Sequence, residues 1–231
     1  MTAILAIDTA TNACSAAISV DDTILASCYQ EMIRGHAEHL VPMVSTIAEE
    51  ADCALKTIDL VAVTIGPGAF TGLRVGLAAA RGFALSAGVP CLGITTLEVI
   101  AAAIVNISSS LMVVLNSKRD DVYCQIFDSD GHPSTKPAIV MPSQLSEIAR
   151  GHISDSSPLV LAGDAASDTS QHLVRAGIRT EIFPYQYPEA SILAKLAASR
   201  WSQGDPVVRP APMYLRSADA VLPVLGGSLR P

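Results

Sequence analysis

The chain has 231 residues, half of them apolar, which is enough to form a buried core in one domain or in two small lobes. Its net charge of −7 and the lack of a run of Lys or Arg argue against independent binding of nucleic acid. Aromatic residues make up only 4% of the chain, which argues against a platform that stacks single-stranded RNA.

The first half of the chain alternates short apolar runs with helical patterns. Strands are predicted at residues 3–7, 15–20, 23–29, 60–65 and 89–94. Helices are predicted from about residue 36 to 51, from an N-cap at Thr71 to Gly88, and from the capping box of Thr95 and Glu98 to Val105. The polar stretch 106–110 is the predicted boundary between two lobes.

The same order of elements then restarts. Strands are predicted at residues 111–115, 122–127 and 159–161, and helices after Pro142 and at about 168–176 and 189–203. This repetition predicts a duplicated α/β plan, with lobes at residues 1–105 and 106–216. The last helix is expected to return to the first lobe, and residues 217–231 are expected to form a disordered tail.

Several features indicate the compartment of the protein. No apolar stretch is long enough to cross a membrane, and the first residues lack the basic region of a signal peptide. The five cysteines are far apart and form no C-x-x-C motif, so neither a disulfide framework nor a zinc knuckle is predicted. The sequence therefore predicts a cytoplasmic protein without membrane contact.

A glycine-rich segment, residues 66–76, joins a predicted strand to the start of a helix. Free N–H groups and the helix dipole favour an anion at such a position, so Gly66, Gly68 and Thr71 are candidates for an anion-binding site. A tight turn that requires positive φ is the other interpretation. The segment matches neither a P-loop nor a G-x-G-x-x-G fingerprint.

The helix after this segment carries small residues at every fourth position: Gly72, Gly76, Ala80 and Ala84. Such a groove lets another helix approach closely. Apolar side chains cover most of the remaining circumference, so the helix is predicted to be buried on more than one side. Burial within the chain and burial against a partner's helix both fit this pattern.

Two polar motifs precede that segment. Asp8, Thr9 and Thr11 form a turn similar to the phosphate-facing turn of actin-like ATPases, although Ala10 stands where those turns carry Gly; Asp8 as a turn-stabilising cap is the alternative. His36 and His39 could share a helical face as a metal pair. No third ligand lies near them in the sequence, so a polar helix start is favoured and no metal is predicted.

These motifs together resemble the TsaB (YeaZ) family of tRNA threonylcarbamoyladenosine (t6A) synthesis. The glycine-rich segment matches the family signature, and weaker matches are Asp8-Thr9-x-Thr11, His36…Leu40-x-Pro42, Val122-Tyr123 and Pro212-x-Tyr214-Leu215-Arg216. The resemblance implies a duplicated α/β fold of two actin-like lobes (ASKHA, ribonuclease H-like). Asn116-Ser117-Lys118 and Gly163-Asp164-Ala165 depart from the family pattern.

The resemblance also implies partners and a missing metal. It implies a heterodimer with the catalytic paralogue TsaD, an ATPase subunit TsaE, and a homodimer when the chain is alone. It further implies no cofactor of the chain's own, ATP or ADP only at the interface with the catalytic partner, and contact with tRNA only through the complex. The catalytic paralogue holds a metal with two histidines on a helix, and the corresponding residues 95–103 contain no histidine.

The resemblance places the partner interface on two helices of the first lobe. Its expected residues are His36, Leu40, Met43, Val44, Ile47, Phe70, Gly72, Leu73, Arg74, Gly76, Leu77, Ala80, Arg81 and Ala84. The resulting hypothesis is a non-catalytic scaffold subunit of the complex that transfers a threonylcarbamoyl group to adenosine 37 of ANN-decoding tRNAs. The alternatives are a stand-alone actin-like ATPase or phosphotransferase that uses Asp8, and a histidine-metal hydrolase.

Overall fold

The computed structural model describes residues 1–153 and 157–216, which form two lobes, each built on a five-stranded mixed sheet. The predicted tail 217–231 lies outside the described residues. The first lobe consists of β1 (Ala3–Asp8), β2 (Ala13–Val20), β3 (Thr23–Glu31), α1 (His36–Glu50), β4 (Leu60–Thr64), α2 (Phe70–Ala87), β5 (Cys91–Ile94) and α3 (Thr96–Ala102). Its sheet has the order β3-β2-β1-β4-β5, with β4 and β5 parallel to β1.

The second lobe repeats this plan. It consists of β6 (Leu111–Asn116), β7 (Val122–Phe127), β8 (Ala138–Val140), α4 (Leu145–Arg150), β9 (Leu159–Ala162), α5 (Ala166–Arg175), β10 (Thr180–Ile182) and α6 (Ala190–Arg200). The order β8-β7-β6-β9-β10 repeats that of the first sheet strand for strand, including the antiparallel hairpin and the parallel return. The predicted duplicated two-lobe α/β fold is therefore confirmed.

Local chemistry explains several element ends. The β2–β3 hairpin turns at Asp21 and Asp22, both of which have positive φ, as a tight two-residue hairpin requires. Gly88 ends α2 in the left-handed conformation that glycine adopts without strain. The capping box of Thr95 and Glu98 opens α3, as the sequence predicts.

The last helix of each lobe packs against the other lobe. α3 contributes Leu97 and Ile100 to an apolar cluster with Val113 and Phe127 of the second sheet. α6 lies against β1 and β2, and Leu193 is fully buried there. This exchange joins the two sheets around one cleft. No helix among residues 1–153 and 157–216 has the length and apolarity needed to span a bilayer.

Three sequence-based predictions are wrong in detail. α2 starts at Phe70, so its N-cap is Ala69 rather than Thr71, and no side chain caps it. α3 ends at Ala102, three residues earlier than predicted. β10 was missed because it is only three residues long and largely exposed, and so carries no apolar alternation.

Candidate functional site

The glycine-rich segment is packed against the turn between β1 and β2. A Cβ atom at Gly68 or Gly72 would overlap the backbone of Ala10 or Thr9, and one at Gly76 would overlap the Thr9 side chain. The Ala69 N–H donates to the Ala10 carbonyl at 2.7 Å, and the Thr9 hydroxyl donates to the Gly72 carbonyl at 2.7 Å. The small-residue groove of α2 is thus filled within the chain.

Asp8 lies beneath this contact and is completely buried. Its Oδ1 accepts hydrogen bonds from the Thr64 hydroxyl at 2.5 Å and from the Ala10 N–H at 3.2 Å, while Oδ2 has no partner among the described residues. Burial raises the pKa of Asp8 to about 7, because the charged form is poorly solvated there. The predicted nucleotide site at Asp8, Thr9, Gly66 and Gly68 is therefore closed by packing, and Asp8 acts as a cap of its own turn.

Most of the side chains predicted to contact a partner are instead buried in the first lobe's core. This correction applies to Leu40, Met43, Val44, Ile47, Gly72, Leu73, Gly76, Leu77, Ala80 and Ala84. They face the sheet because both helices lie on it with their apolar sides inward. Phe70 and Arg74 are exposed, and His36 and Arg81 are half-buried.

The outward faces of α1 and α2 carry a different set of residues. On α2, Ala78, Gly82 and Leu85 are exposed, and 85% of Leu85 is accessible. On α1, Val41 and Ser45 point outward as well. These five residues, here called the outer helix face, present small and apolar side chains on neighbouring helices.

A C-terminal segment, residues 206–216, crosses from α6 back over the first lobe to the second. The Met213 N–H donates to the Ile65 carbonyl at 2.7 Å, and the Arg81 side chain donates to the Pro210 carbonyl. Near its end, Arg216 forms an ion pair with Asp121, which follows β6. We call this segment the strap, because it ties both lobes together.

The strap meets the start of α2 in an aromatic and cationic cluster. The Tyr214 and Phe70 rings have centroids 5.7 Å apart, and the Arg74 guanidinium lies 3.8 Å from the centroid of Phe70. Arg74 Nε also donates to the Tyr214 hydroxyl at 3.1 Å. Sequence reasoning noted the strap's Pro-x-Tyr-Leu-Arg motif but could not place it, because its partners lie about a hundred residues or more away in the sequence.

The two lobes enclose an open cleft of about 1220 Å³. Its walls come from the β1–β2 turn, the starts of α1 and α2, the β6–β7 turn and the strap. Thr11 and Thr71, both predicted for an anion site, line it, whereas Asp8 and Thr9 do not. The charged residues of the wall are Arg34, Glu38, Arg74, Lys118, Arg119, Asp164 and Arg216.

The histidines of this region do not form a metal site. A ring nitrogen of His36 lies 3.0 Å from the Thr11 carbonyl oxygen, and His39 is exposed. The helix that carries two metal-binding histidines in the catalytic relative corresponds to α3, which has none. The residues present therefore do not fit that metal. Among the described residues, three possible ligands meet only at Asp128, Asp130 and His132, where the Asp128 carboxylate already caps its own turn.

Two actin-like lobes around a cleft, with a turn sealed by glycines, define the class of protein. The family model of TsaD, described as tRNA N6-adenosine threonylcarbamoyltransferase, matches residues 24–220. The chain therefore belongs to this family. It is 33% identical to "tRNA threonylcarbamoyladenosine biosynthesis protein TsaB" of Escherichia coli over 150 residues, which span 62% of this chain and 64% of that protein.

Solved structures agree with this assignment. YeaZ from Pseudomonas aeruginosa is 26% identical, has a TM-score of 0.78, and aligns over 93% of this chain and all of that one. Component A of the (R)-2-hydroxyglutaryl-CoA dehydratase of Acidaminococcus fermentans is 13% identical, with a TM-score of 0.50 over 87% of this chain and 99% of that one. The latter likeness extends to the fold alone.

Proposed function

We propose that this chain is the non-catalytic partner subunit of the complex that transfers a threonylcarbamoyl group to adenosine 37 of ANN-decoding tRNAs. Its catalytic partner is a TsaD paralogue, with TsaE as ATPase subunit and ATP or ADP at the interface with the catalytic subunit. The observation that carries this proposal is α3. In a chain of the TsaD family, the helix that would supply the metal ligands carries Leu97 and Ile100 into the core of the second lobe.

The state of Asp8 supports the same assignment over a stand-alone ATPase. A carboxylate that positions a metal or a water for phosphoryl transfer must reach the phosphate. Asp8 is buried, lies outside the cleft wall and is covered by the contact of Gly68 and Gly72 with its turn. It therefore lacks a route to a nucleotide in the cleft.

The outer helix face is the proposed contact with the catalytic partner. Exposed apolar patches bounded by polar residues are typical of protein interfaces. Ala78 and Gly82 leave room for another helix to approach closely, and Leu85 supplies a large side chain with almost no cover of its own. Without its partner, the same face would pair with a second copy of the chain.

Substitution of Leu85 tests this contact. Leu85→Glu places a charge in the proposed interface while leaving the core untouched, because Leu85 is exposed in the chain. Val174→Glu is the matched control, since Val174 is also exposed and lies on α5 of the other lobe. We expect Leu85→Glu to abolish co-purification with the TsaD paralogue and Val174→Glu to preserve it. Equal recovery of the paralogue by both variants would contradict the proposed face.

A further inference from the structure

Two helices begin at the cleft, and neither start is capped by a side chain. α2 has no acidic residue in its first turn, and the N–H groups of Phe70, Thr71 and Gly72 have no acceptor among the described residues. α1 begins at His36 on the same cleft wall, also without a side-chain cap. Because a helix start carries a partial positive charge and free N–H donors, both helices favour an anion in the cleft.

The side chains of the wall add positive charge. In a chain of net charge −7, the wall has five Arg or Lys residues and two acidic ones. Arg216 is neutralised by Asp121, whereas Arg34 makes no hydrogen bond or ion pair within the described part of the chain. Burial raises the pKa of the Asp164 carboxyl, which weakens the negative charge beside Lys118.

An unused hydroxyl lies in the same wall. Thr11 is only 9% exposed, and its Oγ1 has no hydrogen-bond partner among the described residues, although its carbonyl oxygen is engaged by His36. Buried polar groups are normally satisfied, so an orphan hydroxyl in a cleft wall points to a group that is not part of the chain. This observation is independent of the helix starts and of the cations.

We propose that the interlobe cleft binds a small phosphate-bearing anion, held by the first-turn N–H groups of α2, by Thr11 and by the Arg34 and Lys118 side chains. The position differs from the site predicted at Asp8, Thr9, Gly66 and Gly68, which packing closes. The cleft volume suits a ligand up to the size of a nucleotide. Binding requires neither the catalytic partner nor the outer helix face, so the inference stands apart from the proposed function.

Calorimetric titration of the full-length chain with pyrophosphate at low salt tests the proposal. We expect saturable binding, weakened about tenfold by Arg34→Ala or Lys118→Ala, because each removes a charge-assisted contact. Lys136→Ala is the matched control, since it removes an exposed cation outside the cleft and should leave the affinity unchanged. Thr11→Val should weaken binding without loss of stability, because the hydroxyl has no partner in the fold.

Parallel titrations with inorganic phosphate, AMP and ATP separate the possible sources of the phosphate. Tighter binding of the nucleotides than of pyrophosphate would assign a base-binding role to Tyr123 or Tyr214, which line the cleft. Absence of saturable binding by all four compounds would overturn the proposal. So would equal losses in Lys118→Ala and Lys136→Ala, or binding of tRNA without pyrophosphate, since either would indicate only a diffuse charge effect.

Discussion

The two lobes share one strand order, yet they treat the turn after their first strand differently. In the first lobe, the turn from Asp8 to Thr11 is clasped by the loop before α2, with three glycines in direct contact. In the second lobe, the β6–β7 turn is held by fewer contacts: the Ala165 N–H donates to the Val114 carbonyl, and the Asp164 carboxylate accepts from the Asn116 N–H at 2.8 Å. Lys118 and Arg119 of that turn remain exposed at the cleft.

This difference shows how one duplicated plan can yield unlike halves. Glycine at positions 68, 72 and 76 lets backbone approach backbone, so the first turn becomes part of the core and loses access to ligands. The second turn keeps polar side chains at the cleft. The chemistry of the cleft therefore depends on helix starts and cations rather than on Asp8.

The largest expected effect comes from adding a methyl group to the glycine contact. Gly72→Ala places a Cβ against the Thr9 carbonyl, which is rigid backbone, so α2 must move. We expect a loss of stability of more than about 3 kcal/mol, above the usual range for overpacking. Chemical denaturation of the purified chain measures this loss.

Gly82→Ala is the control on the same helix. Nothing lies within 4 Å of a Cβ at Gly82, so the higher helix propensity of alanine should stabilise the chain by about 0.5–1 kcal/mol. Equal effects of the two substitutions would refute the account of the clasped turn. The same geometry means that Gly76→Leu would disrupt the fold itself, and would report on the fold rather than on an interface.

A smaller effect is expected from the buried carboxyl of Asp8. Its pKa is raised from 3.8 to about 7, so the folded chain keeps a proton that the unfolded chain has released, and stability falls as the pH rises through this window. Asp8→Asn cannot ionise and should be more stable than the parent by about 2 kcal/mol at pH 8, part of the gain being lost to the new amide donors. Denaturation midpoints measured from pH 4 to pH 8 should diverge. Parallel curves would show that Asp8 is not buried as described.

The smallest effect tests the strap. Tyr214→Phe removes the hydroxyl that accepts from Arg74 Nε but keeps the ring against Phe70, so we expect a loss of about 1 kcal/mol. Tyr123→Phe, on the opposite wall of the cleft, is the control. A larger loss in the control, measured by denaturation, would argue that the strap contributes little to joining the lobes.

Local patterns in the sequence were sufficient to predict most elements, but not what each one contacts. The four-residue spacing of Gly72, Gly76 and Ala80 predicts burial; whether Thr9 or a partner's helix fills the groove depends on residues that lie about sixty positions away. For the same reason, Leu40 and Leu77 were expected at an interface, whereas they face the sheet. Long-range packing decides such questions, and a single sequence does not encode it in any local period.

The cleft illustrates the same limit. Thr11 and Thr71 were predicted as anion-site residues from their motifs, and both line the cleft. Arg34 and Lys118 were not predicted, because isolated cations in loops have no distinctive spacing. Only the meeting of two helix starts with the turn of the other lobe brings them together. Their arrangement follows from the topology of the duplicated sheets.

The most direct test of the central claim is reconstitution of tRNA threonylcarbamoylation from purified components. We predict that the isolated chain turns over no ATP and modifies no tRNA. With the TsaD paralogue, it should form a stoichiometric complex that supports t6A formation once TsaE and the activated threonylcarbamoyl donor are supplied. ATP turnover by the chain alone, abolished by Asp8→Asn, together with undiminished t6A formation when the chain is omitted, would contradict the scaffold assignment.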